Sequence, residues 1–275
     1  MICFPNAKIN LGLRVTEKRP DGYHNLETVF YPIGLKDALE VVPHPTGNPY
    51  SLDVYSDDTS DLGLNPEKNI VTKAFRLLET RYKLESAAFY LKKAIPSGAG
   101  LGGGSSDAAH TLKILSTMNN LRLNDAELEQ FSAQIGADCA FFIKNKPIFA
   151  SGIGTDFEDV SVNLSGWYLV LIKPDVHVST AEAYSMVRPA KPTGSLKEWI
   201  GLPIETWREN VINDFEPSVF LKHPLIGEIK EELYRNGAVY ASMSGSGSSV
   251  YGLFQSPVDL RKAFGNCFYW SETLQ

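Results

Sequence analysis

Five glycines fall within the seven residues Gly98-Ala99-Gly100-Leu101-Gly102-Gly103-Gly104, inside a stretch that runs from Pro96 to Ala109. Glycine loses more backbone freedom on folding than any other residue, so a packed domain holds this many only for a sharp turn or a close approach. A strand pattern comes before the stretch, with Ala87, Phe89, Leu91 and Ile95 on alternate positions, and a helix pattern over about 104–119 follows it. A flexible linker is seldom wedged between two such elements. A turn of this kind aims several main-chain N–H groups at one point, and the helix behind it adds its positive end. Phosphate is the guest that suits both features.

Several phosphate loops are glycine-rich, and the spacing separates them. Gly98 and Gly103 stand as in a P-loop, but Gly104 occupies the place of its lysine. Gly98, Gly100 and Gly103 match a dinucleotide fingerprint, yet the pattern after the loop's helix is another helix, not the parallel strand that fold requires. The protein-kinase strings H-R-D and D-F-G do not occur.

The rest of the chain mixes strands and helices in both halves, which predicts an α+β protein. Residues 4–16 read as a strand with Ala7, Ile9, Leu11, Leu13 and Val15 on its core face. From alternation alone, Lys8 and Asn10 belong to an exposed polar face. Arg19-Pro20-Asp21-Gly22 is a turn, followed by Tyr23 and His24 and a strand to Ile33. Asp57, Asp58 and Asp61 read as a solvated acidic turn, without calcium-loop spacing. Helices are predicted over 69–83, with Asn69 near the start, and over 124–135, where Asn124 and Glu127 form a capping box. Asp138 follows in an apolar run with Phe141 and Phe142, so its carboxylate must be capped, paired or functional. The glycine turn 152–155 is taken as near a domain boundary. Beyond it come a strand over 167–173, a helix starting at Ser179-Thr180 and a segment, 189–210, whose pattern is hard to read. Asn213-Asp214-Phe215-Glu216 precedes helices near 217–222 and 225–236. Met243–Ser249 is a second glycine-serine loop, a strand runs from Val250 to Phe254, and a helix near 257–264 and a strand near 266–270 finish the chain.

Composition removes several classes. The chain has 275 residues and 43% hydrophobic content, enough for one large or two modest domains with a real core. A formal net charge of −6, with no basic cluster longer than Lys92-Lys93, argues against nucleic acid. Cys3, Cys139 and Cys267 show no metal or disulfide spacing, which fits a reducing compartment. No signal-peptide pattern and no run near 18 apolar residues is present. A cytoplasmic protein without a membrane partner is expected.

The loop P-x-G-x-G-L-G-G-G-S-S-[ND]-A-A resembles the ATP loop of the GHMP kinases. Asn6-Ala7-Lys8-Ile9-Asn10-Leu11 is similar to the opening motif of that family, with Asn6 where proline is commoner. Met243-Ser244-Gly245-Ser246-Gly247-Ser248-Ser249 is similar to its third motif. Within the family, Asp21-Gly22-Tyr23-His24 and Gly136-Ala137-Asp138 look like the branch whose acceptor carries a cytidine diphosphate group. The resemblance covers nearly the whole chain. It implies a two-domain GHMP kinase fold, with an N-terminal ribosomal-protein-S5-like α/β domain over 1–155 and a C-terminal ferredoxin-like domain over 156–275. It implies ATP-dependent phosphorylation of an alcohol on a small molecule, and a monomer or weak homodimer.

The resemblance also implies roles. Pro96, Ser97, Gly98, Ala99, Gly100, Leu101, Gly102, Gly103, Gly104, Ser105 and Ser106 would hold the triphosphate. Asp138 would be the base and Lys8 would lie beside it; a structural Lys8–Asp138 ion pair is the rival reading. Asn10, Tyr23, His24, Thr180 and Tyr184 would contact the acceptor, with Tyr184 stacked on cytosine or else a core tyrosine. Asn69 would contact adenine or serve only as a helix cap. Ser244, Gly245, Ser246 and Gly247 form the third motif. Mg²⁺ would travel mostly on ATP, with Ser106 or water, and no residue is assigned as a metal ligand. Asp107 stands where asparagine is frequent, and Cys139-Ala140 where Val-Pro is more usual. The alternatives are a GHMP kinase with a different acceptor and a non-catalytic nucleotide or sugar sensor on the same fold.

Overall fold

The computed structural model describes residues 1–44, 47–56 and 66–275. The acidic stretch Asp57, Asp58 and Asp61 lies outside the described residues. Two compact units share the chain: Met1–Ala7, Leu35–Ser97 and Gly102–Lys146 form the first, and Lys8–Gly34, Gly98–Leu101 and Pro147–Gln275 the second. Each unit takes more than one segment of the sequence, whereas the sequence reading placed a single division after residue 155.

The elements in chain order are β1 (Ile2–Cys3), β2 (Asn6–Lys18), β3 (His24–Lys36), β4 (Ala38–Pro43), β5 (Tyr50–Ser56), α1 (Ile70–Glu79), β6 (Ala87–Lys93), α2 (Gly103–Met118), α3 (Asp125–Ile135) and α4 (Phe141–Lys144). There follow β7 (Ile148–Ser151), β8 (Asp156–Asp159), β9 (Tyr168–Lys173), α5 (Thr180–Met186), α6 (Leu196–Trp199), α7 (Trp207–Asn210), α8 (Glu216–Lys222), α9 (Pro224–Arg235), β10 (Tyr240–Met243), β11 (Val250–Phe254) and β12 (Phe268–Thr273). The segment that was hard to read holds only short helical turns.

In the first unit the sheet order is β1-β4-β6-β5. β6 pairs antiparallel with β4 and parallel with β5. Its apolar alternation buries Ala87, Phe89 and Leu91, as the sequence pattern demands. Helices α1, α2 and α3 pack on one another, and α2 lies against β4. Ala108, Ala109, Leu112 and Leu115 bury one stripe of α2 at helical spacing. The capping box of α3 is complete: Glu127 N–H donates to Asn124 Oδ1 at 3.0 Å and Asn124 N–H to Glu127 Oε2 at 2.9 Å.

The second unit holds two sheets, β2-β3-β7-β8 and the antiparallel β10-β11-β9-β12. Val170, Ile172, Ile226, Ile229, Leu233, Ala241, Met243 and Val250 share one core that joins α9 to the second of these sheets. The glycine turn 152–155 is the hairpin between β7 and β8, inside this unit.

Two expectations from the pattern are corrected. Lys8 and Asn10 are not on an exposed face; they are 3% and 2% accessible. Alternation reports only that two faces differ in polarity, and here the polar face of β2 is covered by hydrogen-bonding loops. No helix forms at 257–264. Pro257 withholds an amide donor, and the Asp259 carboxylate accepts from Arg261 N–H at 3.1 Å and from the Arg261 guanidinium. That local bonding replaces the first helical turn.

Candidate active site

In the first unit, the end of β6 and the start of α2 are tied together by buried charge. Asp37 Oδ1 accepts from Ala94 N–H at 2.6 Å and from Ile95 N–H at 2.8 Å. Lys93 Nζ donates to Asp37 Oδ2, and to Asp107 Oδ2 at 2.7 Å. All three side chains are buried. Burial alone lowers the Lys93 pKa, but the two carboxylates outweigh it and the ammonium is held. Burial pushes the Asp107 carboxyl up to about 7 against the pull of Lys93, with Asp37 adding to the rise. Asp107 Oδ1 is buried without a hydrogen-bond partner.

The head of α2 is open. Its cap, Gly102, has a left-handed backbone (φ 69°) and no side chain to accept from the first turn, and that turn holds no acidic residue. The first N–H groups of a helix have no intrahelical acceptor. At α1, by contrast, Asn69 Oδ1 takes Val71 N–H at 2.9 Å. An uncapped, glycine-lined helix start is suited to an anion. Asp138 sits in the first unit too, in the single turn Ala137–Cys139 before α4. Burial pushes the neighbouring Cys139 thiol up to about 11, so it is not a nucleophile near neutral pH.

In the second unit, the loop tip Gly98–Leu101 meets β2 and the Ser244–Gly247 loop. Lys8 N–H donates to Leu101 O at 2.9 Å. Lys8 Nζ donates to Gly100 O at 3.0 Å and to Asn10 Oδ1. Ser244 Oγ donates to the same Gly100 carbonyl at 2.9 Å and accepts from Asn10 N–H at 3.2 Å. Asn10 Nδ2 donates to Thr28 Oγ1 at 2.9 Å. Gly100 is required by its surroundings: φ is 77°, and a Cβ there would come within 2.0 Å of Ser244 O. Farther along this unit, the His24 ring stacks on Tyr184 with centroids 4.9 Å apart, and Phe215 meets Tyr184 edge-on at 4.8 Å. Burial lowers the His24 pKa, with Lys18 adding to the effect. Thr180 Oγ1 lies 3.4 Å from Ser246 Oγ.

The profile of GHMP kinases N terminal domain matches residues 69–146, and that of GHMP kinases C terminal matches residues 196–267. A Parabacteroides distasonis protein named 4-diphosphocytidyl-2-C-methyl-D-erythritol kinase is 53% identical over 276 residues, covering 100% of both chains. A Bacteroides thetaiotaomicron protein of the same name is 57% identical over 93% of this chain and 92% of its own. The chain belongs to the GHMP kinase family.

A crystal structure of 4-(cytidine 5'-diphospho)-2C-methyl-D-erythritol kinase superposes with a TM-score of 0.78 at 29% identity, over 98% of each chain. A mevalonate kinase superposes at 0.70 with 14% identity, which speaks to the fold alone. The fold is therefore the two-domain α+β fold of GHMP kinases.

Within this GHMP kinase, Lys8, Asn10, Gly100, Leu101 and Ser244 converge in one hydrogen-bonded cluster with Gly245 against Gly100, and His24 converges with Tyr184. Tyr23 stands outside both, 64% exposed on the turn after Gly22. Asn69 caps α1, which leaves its proposed adenine contact open. Among the described residues no group of three or more His, Cys, Asp or Glu side chains is placed to hold a metal ion, and no helix is long and apolar enough to cross a membrane. Sequence reasoning passed over Asp37, Lys93 and Thr28. Asp37 lies 56 residues from its lysine in a strand connection, and no local spacing links the two. Asn213–Glu216 was noted as a string but given no role.

Proposed function

We propose that the protein transfers the γ-phosphoryl group of ATP to the 2-hydroxyl of 4-diphosphocytidyl-2-C-methyl-D-erythritol. The observation that carries this is the 53% identity, over the whole of both chains, to a relative bearing that kinase's name. The local structure fits the nucleotide. The start of α2 is uncapped. Gly104, in its first turn, is exposed, so packing leaves its main chain open to a phosphate.

Phosphoryl transfer asks mainly for positioning and charge stabilisation. The loop from Pro96 to Ser106 binds the triphosphate through main-chain donors, and Lys8 supplies positive charge for the transferring group. The acceptor oxygen forms its bond to the γ-phosphorus, the bond to the bridging oxygen of ADP breaks, and the hydroxyl proton passes to Asp138. The stacked pair of His24 and Tyr184 presents an aromatic surface to cytosine, with Tyr23, Asn10 and Thr180 completing the acceptor side. Asn69 contacts adenine. Ser106 would be the protein oxygen offered to a Mg²⁺ carried on ATP, whose charge would offset that of the phosphates. The chain acts as a monomer or weak homodimer, and the family's two domains divide near residue 155.

The test is purified protein with Mg-ATP and, separately, the CDP-linked substrate, mevalonate and homoserine. ADP release with the CDP-linked substrate alone is expected. Release only with a competitor, or with none of the three, refutes the assignment.

A further inference from the structure

The string Asn213-Asp214-Phe215-Glu216 takes no part in the reading above, yet it is bonded at every position within the second unit. Asn213 is 2% exposed. Its Nδ2 donates to Met243 O and to Gly245 O, both at 2.8 Å, and its Oδ1 accepts from Phe215 N–H at 3.0 Å. The carboxamide thus uses both donors and its acceptor. Asp214 holds the segment to β2: its N–H donates to Leu13 O at 2.8 Å and its Oδ2 accepts from Val15 N–H at 2.8 Å. Glu216 Oε1 accepts from Met243 N–H at 2.8 Å.

Residues 243–245 are therefore gripped from one side, by Glu216 at an N–H and by Asn213 at two carbonyls. Their other side is the glycine cluster. A Cβ on Gly245 would stand 3.4 Å from Gly100 Cα, and Ser244 Oγ donates to Gly100 O, the carbonyl that also receives Lys8 Nζ.

We propose that Asn213 is a positioning residue for nucleotide binding, fixing the Ser244–Gly245 turn so that Gly100 and Lys8 are presented to the phosphates of ATP. This rests on the kinase reading. A buried amide that satisfies two carbonyls sets their directions; without it both carbonyls must turn toward other donors. The loop that turns with them carries the Gly100 contact.

The test is calorimetric titration of the intact protein with a non-hydrolysable ATP analogue and Mg²⁺, beside thermal melting. Asn213→Ala is expected to weaken analogue affinity about tenfold or more, the scale of a lost buried hydrogen-bond pair. Tyr168→Phe is the structural control. It removes a part-buried bond, Tyr168 Oη to Ser271 Oγ at 2.9 Å, in the same sheet but at the end of β9 that pairs with Phe254, opposite the end where β11 meets Met243; it is expected to lower the melting temperature and leave affinity unchanged. Asn213→Ser, which keeps one donor, is expected to fall between wild type and Asn213→Ala, and serves if the alanine variant does not fold. Wild-type affinity in the Asn213 variants, or an equal loss in Tyr168→Phe, overturns the proposal. The titration needs no acceptor. A wild type that binds the analogue but fails with the CDP-linked substrate defeats the proposed acceptor and leaves this inference standing.

Discussion

Lys93 and Asp107 form a buried ion pair at 2.7 Å that is one positive charge short, because the same ammonium also serves Asp37. Two carboxylates and one cation in a site this buried favour retention of a proton. The Asp107 carboxyl is accordingly raised to about 7 by its burial. The unfolded chain releases that proton near pH 4. The folded state thus holds more protons between those limits, and stability falls as pH rises from about 4 to about 7.

Asp107→Asn removes this dependence. Asparagine keeps an oxygen for Lys93 and leaves Lys93 and Asp37 as a balanced pair. Melting curves at pH 5 and pH 8 are expected to separate for wild type more than for the variant. Between pH 5 and pH 8 wild type is expected to lose on the order of 1–3 kcal/mol that the variant keeps. Parallel curves for the two proteins would show that Asp107 does not carry the proton.

The glycine loop was legible in the sequence because its constraint is local: glycine density between a strand and a helix. The capping box at Asn124 was legible for the same reason. The polar face of β2 was not. Its burial depends on Ser244, 234 residues from Asn10, and on Thr28 and Gly100, and alternation has no access to partners at that separation. Asp37 and Asn213 were missed on identical grounds. The helix expected at 257–264 failed in the opposite direction, since Asp259 and Arg261 bond locally in a way that apolar spacing does not report.

Asp138→Asn tests the chemical step. General-base assistance contributes about 10²–10⁴ in rate, so kcat is expected to fall by about that factor while analogue affinity is kept. Single-turnover rates with the CDP-linked substrate make the measurement. A variant that turns over near the wild-type rate, or that loses only thermal stability, would leave Asp138 a structural carboxylate.

Tyr184 is held by rings on two sides, His24 stacked and Phe215 edge-on. Stacking of a base on an aromatic ring is worth about 1–3 kcal/mol. Tyr184→Ala is therefore expected to raise the KM for the cytidine-bearing acceptor by about tenfold or more, with the KM for ATP unchanged. Equal acceptor affinity before and after the substitution would return Tyr184 to the core.

Gly100 and Gly104 belong to one loop but answer to different demands. At Gly100 the fold itself forbids a side chain, because φ is 77° and Ser244 O stands 2.0 Å from the Cβ position. Gly100→Ala is expected to lower stability by at least about 1–3 kcal/mol. Gly104 is in ordinary helical conformation in α2, and its Cβ position lies 3.7 Å from Ile70 Cγ2. Alanine there fits, and it is expected to raise stability by about 0.5–1 kcal/mol, since glycine within a helix forfeits that much. A residue at which the fold prefers alanine but the chain carries glycine is explained if a ligand must reach the main chain. Gly104→Ala should then melt higher than wild type and bind the ATP analogue more weakly. Higher melting with unchanged affinity would show that the phosphates do not approach the first turn of α2.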